Sequence, residues 1–162
     1  MEIATANDAP QIASLLTATS QRLTEIYGEG HWSHQTTEKG VLFGMRQNAH
    51  VLVVKRDEKI VGTLRLTTKK PWAVDTGYFT KVSHPLYLVD MSVQPELQGT
   101  GIGRYMLGEA KSFVKTLSAQ AIRLDAYNAP AGAGEFYRKC GYKEVGRVVY
   151  KGTPLIYFEM IL

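Results

Sequence analysis

The stretch LYLVDMSVQPELQGTGIGRYM, Leu86 to Met106, limits the folds open to this chain more than any other. Leu86–Val93 is an apolar run of strand character. Pro95 stands at its exit, and Gly99, Gly101 and Gly103 then fall on alternate positions. From Gly103 onward, Met106, Leu107, Ala110, Phe113, Val114 and Leu117 mark one face of a helix. Such a turn is costly, because glycine loses more backbone entropy on folding than any other residue. A glycine turn that carries a strand into a helix is a cradle for an anion. The first amides of the helix lack intrahelical partners, the helix dipole adds positive charge, and glycines let a phosphate reach the main chain.

Two common phosphate signatures do not fit. A GxxxxGK[ST] loop needs Lys–Ser or Lys–Thr after the glycines, and neither is present. The dinucleotide fingerprint GxGxxG fails in both registers, because Arg104 or Met106 stands at its last position. Asp125, on the next strand, has the spacing of a ribose-binding acid, which keeps a dinucleotide alternative open.

The rest of the chain reads as a short strand Glu2–Thr5 and a helix capped by Asn7 or Asp8 that runs to Gly28. A loop GEGHWSH and a second helix Gln35–Arg46 follow. HVLVVKR and IVGTLRLT form a hairpin about the polar turn DEK. Residues 69–84 have no clear period and read as a long, partly ordered loop. AIRLDAY is a strand, AGEFYRKCGY a short helix ended at Gly141, and KEVGRVVY and LIYFEMI are two closing strands. The order β, α, α, β, β, β, α, β, α, β, β predicts a mixed sheet flanked by helices.

A length of 162 residues fits one domain, and 44% hydrophobic with 21% charged residues is globular composition. The formal charge of +4 is scattered, with Lys69–Lys70 its densest spot, so no nucleic-acid face is expected. Cys140 is the single cysteine, which excludes an intramolecular disulfide and fits a reducing compartment. MEIATANDAP lacks signal-peptide blocks, and no apolar run is long enough to span a bilayer. The expectation is a soluble, cytoplasmic protein with no membrane partner, a homodimer being the default assembly.

Gln98-x-x-Gly101-x-Gly103, between that strand and that helix, resembles the acetyl-CoA-binding motif [QR]-x-x-G-x-[GA] of the GNAT superfamily of N-acetyltransferases. LDAYNAPAGAGEFYRKCGY is similar to the family's next motif, and the element order resembles the family's arrangement over most of the chain. The resemblance implies an α/β (α+β) fold, with a single N-acetyltransferase domain over residues 1–162. Its mixed, mostly antiparallel sheet of about seven strands would be flanked by helices and splayed at the acetyl-CoA site. It implies acetyl-CoA as cosubstrate, no metal, and direct transfer to a primary amine of a small-molecule or peptide acceptor.

The resemblance also implies site residues. Coenzyme pyrophosphate would sit on the amides of Gln98, Gly99, Gly101, Gly103 and Arg104. Met91 and Val93 would hold the pantetheine arm through their main chain beside a bulge, with the Val93 N–H aimed at the thioester carbonyl. Tyr137 would assist the departing thiolate, or stand as a core aromatic. Asn128 would touch the pantetheine arm or cap the helix, but it precedes Tyr137 by nine residues where the family's commonest spacing is seven. For the general base, the family position falls on Tyr87, a poor base as a neutral phenol, so the reading is water relays or Tyr87 as a polar substrate contact; nearby Asp90 reads as a candidate base or, in preference, a structural carboxylate. Trp32 is a candidate acceptor wall or a plug at the core edge, and Asp75 a candidate attractor of a cationic amine. His31 and His34 lack a third ligand for zinc. Cys140 is not expected to act as a nucleophile. The alternative function is a non-catalytic module that binds acyl-CoA or a nucleotide.

Overall fold

The computed structural model describes residues 1–47 and 49–162. The chain runs β1 (Glu2–Ile3), α1 (Ala9–Tyr27), α2 (Glu38–Met45), β2 (Ala49–Arg56), β3 (Lys59–Thr67) and β4 (Pro85–Val93). It continues α3 (Ile102–Thr116), β5 (Ala121–Tyr127), α4 (Gly134–Lys139), β6 (Lys143–Tyr150) and β7 (Thr153–Ile161). The strands form one seven-stranded sheet of order β1-β2-β3-β4-β5-β7-β6. Every pairing is antiparallel except β4 with β5.

Strand alternation divides the apolar residues between the two faces of this sheet. On one face, Leu64, Leu66, Leu86, Leu88, Ile122 and Leu124 pack under α3, which contributes Ile102, Met106, Leu107, Ala110 and Val114. On the other, Val51, Val53 and Ile60 pack under Ile12 and Leu15 of α1 and Val41 of α2. α1 ends at Gly28 as its sequence suggests. α2 is shorter than expected, because Thr37 caps it by accepting from the Gly40 N–H at 3.1 Å. The β2–β3 turn takes positive φ at Asp57 and Glu58, as two-residue hairpins require.

The segment 69–84 is pinned rather than loose. Val74 and Phe79 are buried with Tyr87 and Tyr157. The Tyr157 hydroxyl donates to Ala73 O and accepts from the Asp75 N–H. Thr80 N–H donates to Glu159 Oε2 at 3.1 Å, and Arg123, paired with Glu159 at 3.0 Å, donates to Thr80 O. This segment covers β5 and β7 beside the ground held by α1 and α2.

Candidate active site

The sheet opens between β4 and β5. These parallel strands pair only over Pro85–Tyr87 against Ala121–Arg123, and beyond that point they part. A bulge on β4 accompanies the parting. Residues 89 to 92 on β4 span the same ladder as residues 65 to 63 on β3, so β4 carries one residue more. The extra residue is Asp90, held at φ 52°, with its carboxylate 2.7 Å from Arg65. The insertion shifts the alternation, so that Met91 and Val93 face the α3 side as Leu86 and Leu88 do.

The bulge also sets the direction of a main-chain donor. Gly62 lies opposite Val93, and the next bond of the ladder runs from Gln94 N–H to Val61 O at 2.9 Å. Gly62 and Val93 are therefore a non-hydrogen-bonded pair, whose own N–H and C=O groups point away from each other's strand. The Val93 N–H points into the gap that β5 has vacated. Gln98 ties the following turn to the same place, its Nε2 donating to Val93 O at 3.2 Å.

At the outer end of the gap the chain enters α3. Gly101 is the N-cap residue at φ 93° and Gly99 sits at φ 77°, a region that side chains with a Cβ rarely occupy. A Cβ at either would meet nothing within 4 Å, so packing does not demand these glycines. Gly103 differs, because a Cβ there would lie 3.0 Å from the Phe136 ring of α4. The first intrahelical bond is Tyr105 N–H to Gly101 O at 3.0 Å, and no side chain caps the helix. The amides of Ile102, Gly103 and Arg104 thus point outward with no intrahelical acceptor.

At the inner end lies a cavity of about 440 Å³ whose walls include Leu16, Thr19, Val41, Met91, Asp125 and Tyr137. Tyr137 is buried, with its hydroxyl 3.9 Å from Met91 Sδ. Burial, with the nearby Asp125 charge second, pushes this phenol well above its ordinary pKa, so it is a protonated hydroxyl at neutral pH. Trp32 lines the same cavity, edge-on to Tyr127 at 5.7 Å, and the Tyr127 hydroxyl donates to His31 O at 3.1 Å. The α1–α2 loop is therefore tied across to the end of β5. Ser20 holds it from the helix side, donating to Trp32 O and accepting from His34 N–H.

A family model described as an acetyltransferase (GNAT) domain matches residues 47–144. The chain belongs to the GNAT acetyltransferase family. It is similar to the aminoglycoside N(6')-acetyltransferase type 1 of Stenotrophomonas maltophilia, at 32% identity over 69 residues. That match spans 43% of this chain and 45% of the relative, under half the length of either. Among solved structures, an aminoglycoside 6'-acetyltransferase type Ii superposes with a TM-score of 0.73 at 19% identity, over 99% of this chain and 95% of that one. The PaiA N-acetyltransferase of Thermoplasma acidophilum, solved with coenzyme A, gives 0.75 at 14% identity, over 99% and 97%.

Within this GNAT chain the residues expected from sequence fall into three groups. Gln98, Gly99, Gly101, Gly103 and Arg104 form the turn and first coil of α3, joined to the strand end through Gln98 and Val93. Met91, Tyr137 and Trp32 meet in the cavity. Tyr87 and Asn128 stand elsewhere. Tyr87 is buried beneath the 69–84 segment, because its place in β4 precedes the bulge. Asn128 donates its main-chain N–H to Pro154 O at 2.9 Å and borders a separate polar hollow with Arg138, Glu144 and Arg147. Ala131 and Ala133, from the lengthened loop, occupy the cavity wall instead. Asp75 accepts from Gly77 N–H at 2.9 Å in a short turn and does not line the cavity. Asp90 is the partner of Arg65, as its structural reading anticipates. Burial raises the Cys140 thiol, with Arg104 opposing, so it is poorly suited to nucleophilic work.

Sequence reasoning weighed Asp125 only as a ribose-binding acid and gave Tyr127 no role. Both line the cavity from the splayed end of β5. The alternation of AIRLDAY already placed Arg123, Asp125 and Tyr127 on one face, which was the available signal.

Proposed function

We propose that this chain is an acetyl-CoA-dependent N-acetyltransferase that moves the acetyl group to a primary amine of a small molecule, in one step within a ternary complex. The observation that carries this reading is the Val93 N–H turned into the unpaired gap between β4 and β5. An uncapped helix start lies at one end of that gap and a cavity open to solvent on one side at the other. The outward amides of Ile102, Gly103 and Arg104, with those of Gln98, Gly99 and Gly101, would hold the coenzyme pyrophosphate. The pantetheine arm would run in the gap along Met91 and Val93, as a surrogate strand. The thioester carbonyl would then accept from Val93 N–H, a donor that strengthens its hold as the oxyanion develops and is worth about 3 kcal/mol in such sites.

The amine would approach from the cavity side, past Trp32. Attack on the carbonyl carbon forms the C–N bond, and collapse breaks the C–S bond. Tyr137, kept protonated by burial, would hydrogen-bond or protonate the departing thiolate. A small-molecule acceptor is supported by the curated relative and by one structural neighbour, both named as acting on aminoglycosides. The test is release of free thiol from acetyl-CoA across a panel of primary amines. Amine-dependent thiol, with the acetylated amine found by mass spectrometry, is expected. Tight acetyl-CoA binding with no turnover on any amine would instead indicate a non-catalytic binding module.

A further inference from the structure

Arg123 and Asp125 stand two residues apart on one face of β5, and the fold treats their charges in opposite ways. Arg123 is buried and its charge is paired: it donates to Glu159 and Thr80 and lies 5.0 Å over the Phe79 ring. Asp125 lies past the point where β4 leaves β5. Its register partner is Tyr157 on β7, and its side faces the cavity. Among the described residues no side chain donates to its carboxylate, which is met only by its own main-chain amide. The other charged groups that line the cavity do not serve it. Arg65 is taken by Asp90 at 2.7 Å, which leaves His34 across the cavity and the phenols of Tyr127, Tyr137 and Tyr157 around it. Burial raises the Asp125 carboxyl above its ordinary range, and its uncompensated charge in turn helps to raise those three phenols.

A partly buried carboxylate that lines a cavity and has no side-chain donor has lost part of its hydration, and a cation that meets it restores the lost interaction. We infer that Asp125 seats the reacting nitrogen of the acceptor, and that the acceptor is a small primary amine carrying a single ammonium group. This rests on the transferase reading above. One side of the inference is chemical. A free alkyl ammonium must lose a proton before it can attack, and a carboxylate bonded to it in a partly desolvated site is placed to take that proton. The proton passes to Asp125, the freed lone pair forms the C–N bond, and the C–S bond breaks. The thiolate is protonated, and with loss of the second nitrogen proton one proton in all is released to solvent.

The other side is a charge count. Among the described residues, Asp90 and Asp125 are the carboxylates that line the cavity, and Asp90 is neutralised. A polycation would bring further ammonium groups into walls made of Leu16, Leu23, Val41 and Thr19, which offer no counter-charge. The volume agrees. About 440 Å³ is in the lower part of the roughly 300–1,000 Å³ range of small-molecule sites, and the acetylated coenzyme arm must share it. The bond from Tyr127 to His31 O, which straps the α1–α2 loop to β5, narrows the acceptor side further.

The experiment compares wild type with Asp125→Asn, using tyramine as the monocation and spermidine and kanamycin as polycations. Wild type should give a kcat/KM for tyramine at least tenfold above either polycation. Asp125→Asn should raise the KM for tyramine at least 30-fold, while the dissociation constant for acetyl-CoA stays within twofold. It should also flatten the dependence of kcat/KM on pH below neutrality. Folding is checked by the melting midpoint. The raised carboxyl costs no stability below its ordinary value of 3.8; the cost grows as pH rises from there and is complete above its folded pKa. The Asn variant should therefore melt no lower than wild type at pH 7, with the gap closing toward acid. A tyramine KM unchanged by Asp125→Asn overturns the role of Asp125. A polycation turned over as well as tyramine overturns the substrate class. Acetyl-CoA bound but no thiol released by wild type with any amine overturns the transferase reading, and this inference with it.

Discussion

The turn at Gly99–Gly103 offers main-chain amides, whereas the cavity beyond the splay is walled by side chains from α1, α2, β3, β4 and β5. The first region is local: a strand end, a turn and one helical coil, all within Val93–Arg104. The second is assembled from residues as far apart as Ile12 and Tyr137. A main-chain site depends on backbone shape, so it constrains which residues are absent, above all those with a Cβ. A side-chain site constrains which residues are present, and different side chains can be set in the same frame.

The sharpest way to break the comparison is Gly101→Glu. A Cβ at this position meets nothing within 4 Å, so the fold accommodates it. The positive φ of 93° costs about 1–2 kcal/mol in strain. Its carboxylate would stand where the helix start offers its amides. Binding of acetyl-CoA, followed by calorimetry, is expected to fall beyond detection. Wild-type affinity in the folded variant would show that the turn is not the coenzyme's seat.

The next effect falls on the frame. Arg123→Met leaves Glu159 as a buried charge without its cationic partner and removes one of the two hydrogen bonds that hold the 69–84 segment at Thr80, the Thr80 N–H to Glu159 bond remaining. A loss of about 3–5 kcal/mol in urea unfolding is expected. A loss below about 1 kcal/mol would mean that this ion pair does not anchor the segment. Smaller again, Tyr137→Phe should lower kcat roughly 100-fold while the acetyl-CoA affinity hardly changes. Wild-type turnover would remove the acid role and leave Tyr137 as packing between Met91 and Phe158.

What the sequence made legible divides along the same line. Element order was readable throughout, because helical and strand periods persist over whole segments such as Ala121–Tyr127 and Ile102–Thr116. The glycine turn was readable because its spacing is local. Asp90 was readable as structural but not as the bulge residue, since nothing in LYLVDMSV marks the extra position opposite β3. The pinned state of 69–84 was not readable, because its partners Arg123, Tyr157 and Glu159 lie 43 or more residues downstream of Thr80 and Asp75. Asp125 was visible as an acid on a strand face. Its lack of a partner is a property of three dimensions, set by where β4 leaves β5.

The smallest effect separates the two kinds of glycine on a single helix. Gly108 lies in the interior of α3 on its exposed side, and a Cβ there meets nothing within 4 Å. Gly101 has the same open surroundings but a left-handed backbone, and it stands at the helix start. If open space alone decided tolerance, Ala should be equally acceptable at both. Helix propensity and backbone strain predict opposite signs instead. Gly108→Ala should stabilise the chain by about 0.5–1 kcal/mol, since alanine has less backbone entropy to lose and suits a helix interior. Gly101→Ala should destabilise it by about 1 kcal/mol, because the residue must hold φ 93°. Acetyl-CoA affinity should be unchanged in the first variant and reduced in the second. Equal stability changes would mean that the Gly101 backbone relaxes out of the left-handed region at little cost, and that the turn is less rigid than a preformed anion cradle needs to be.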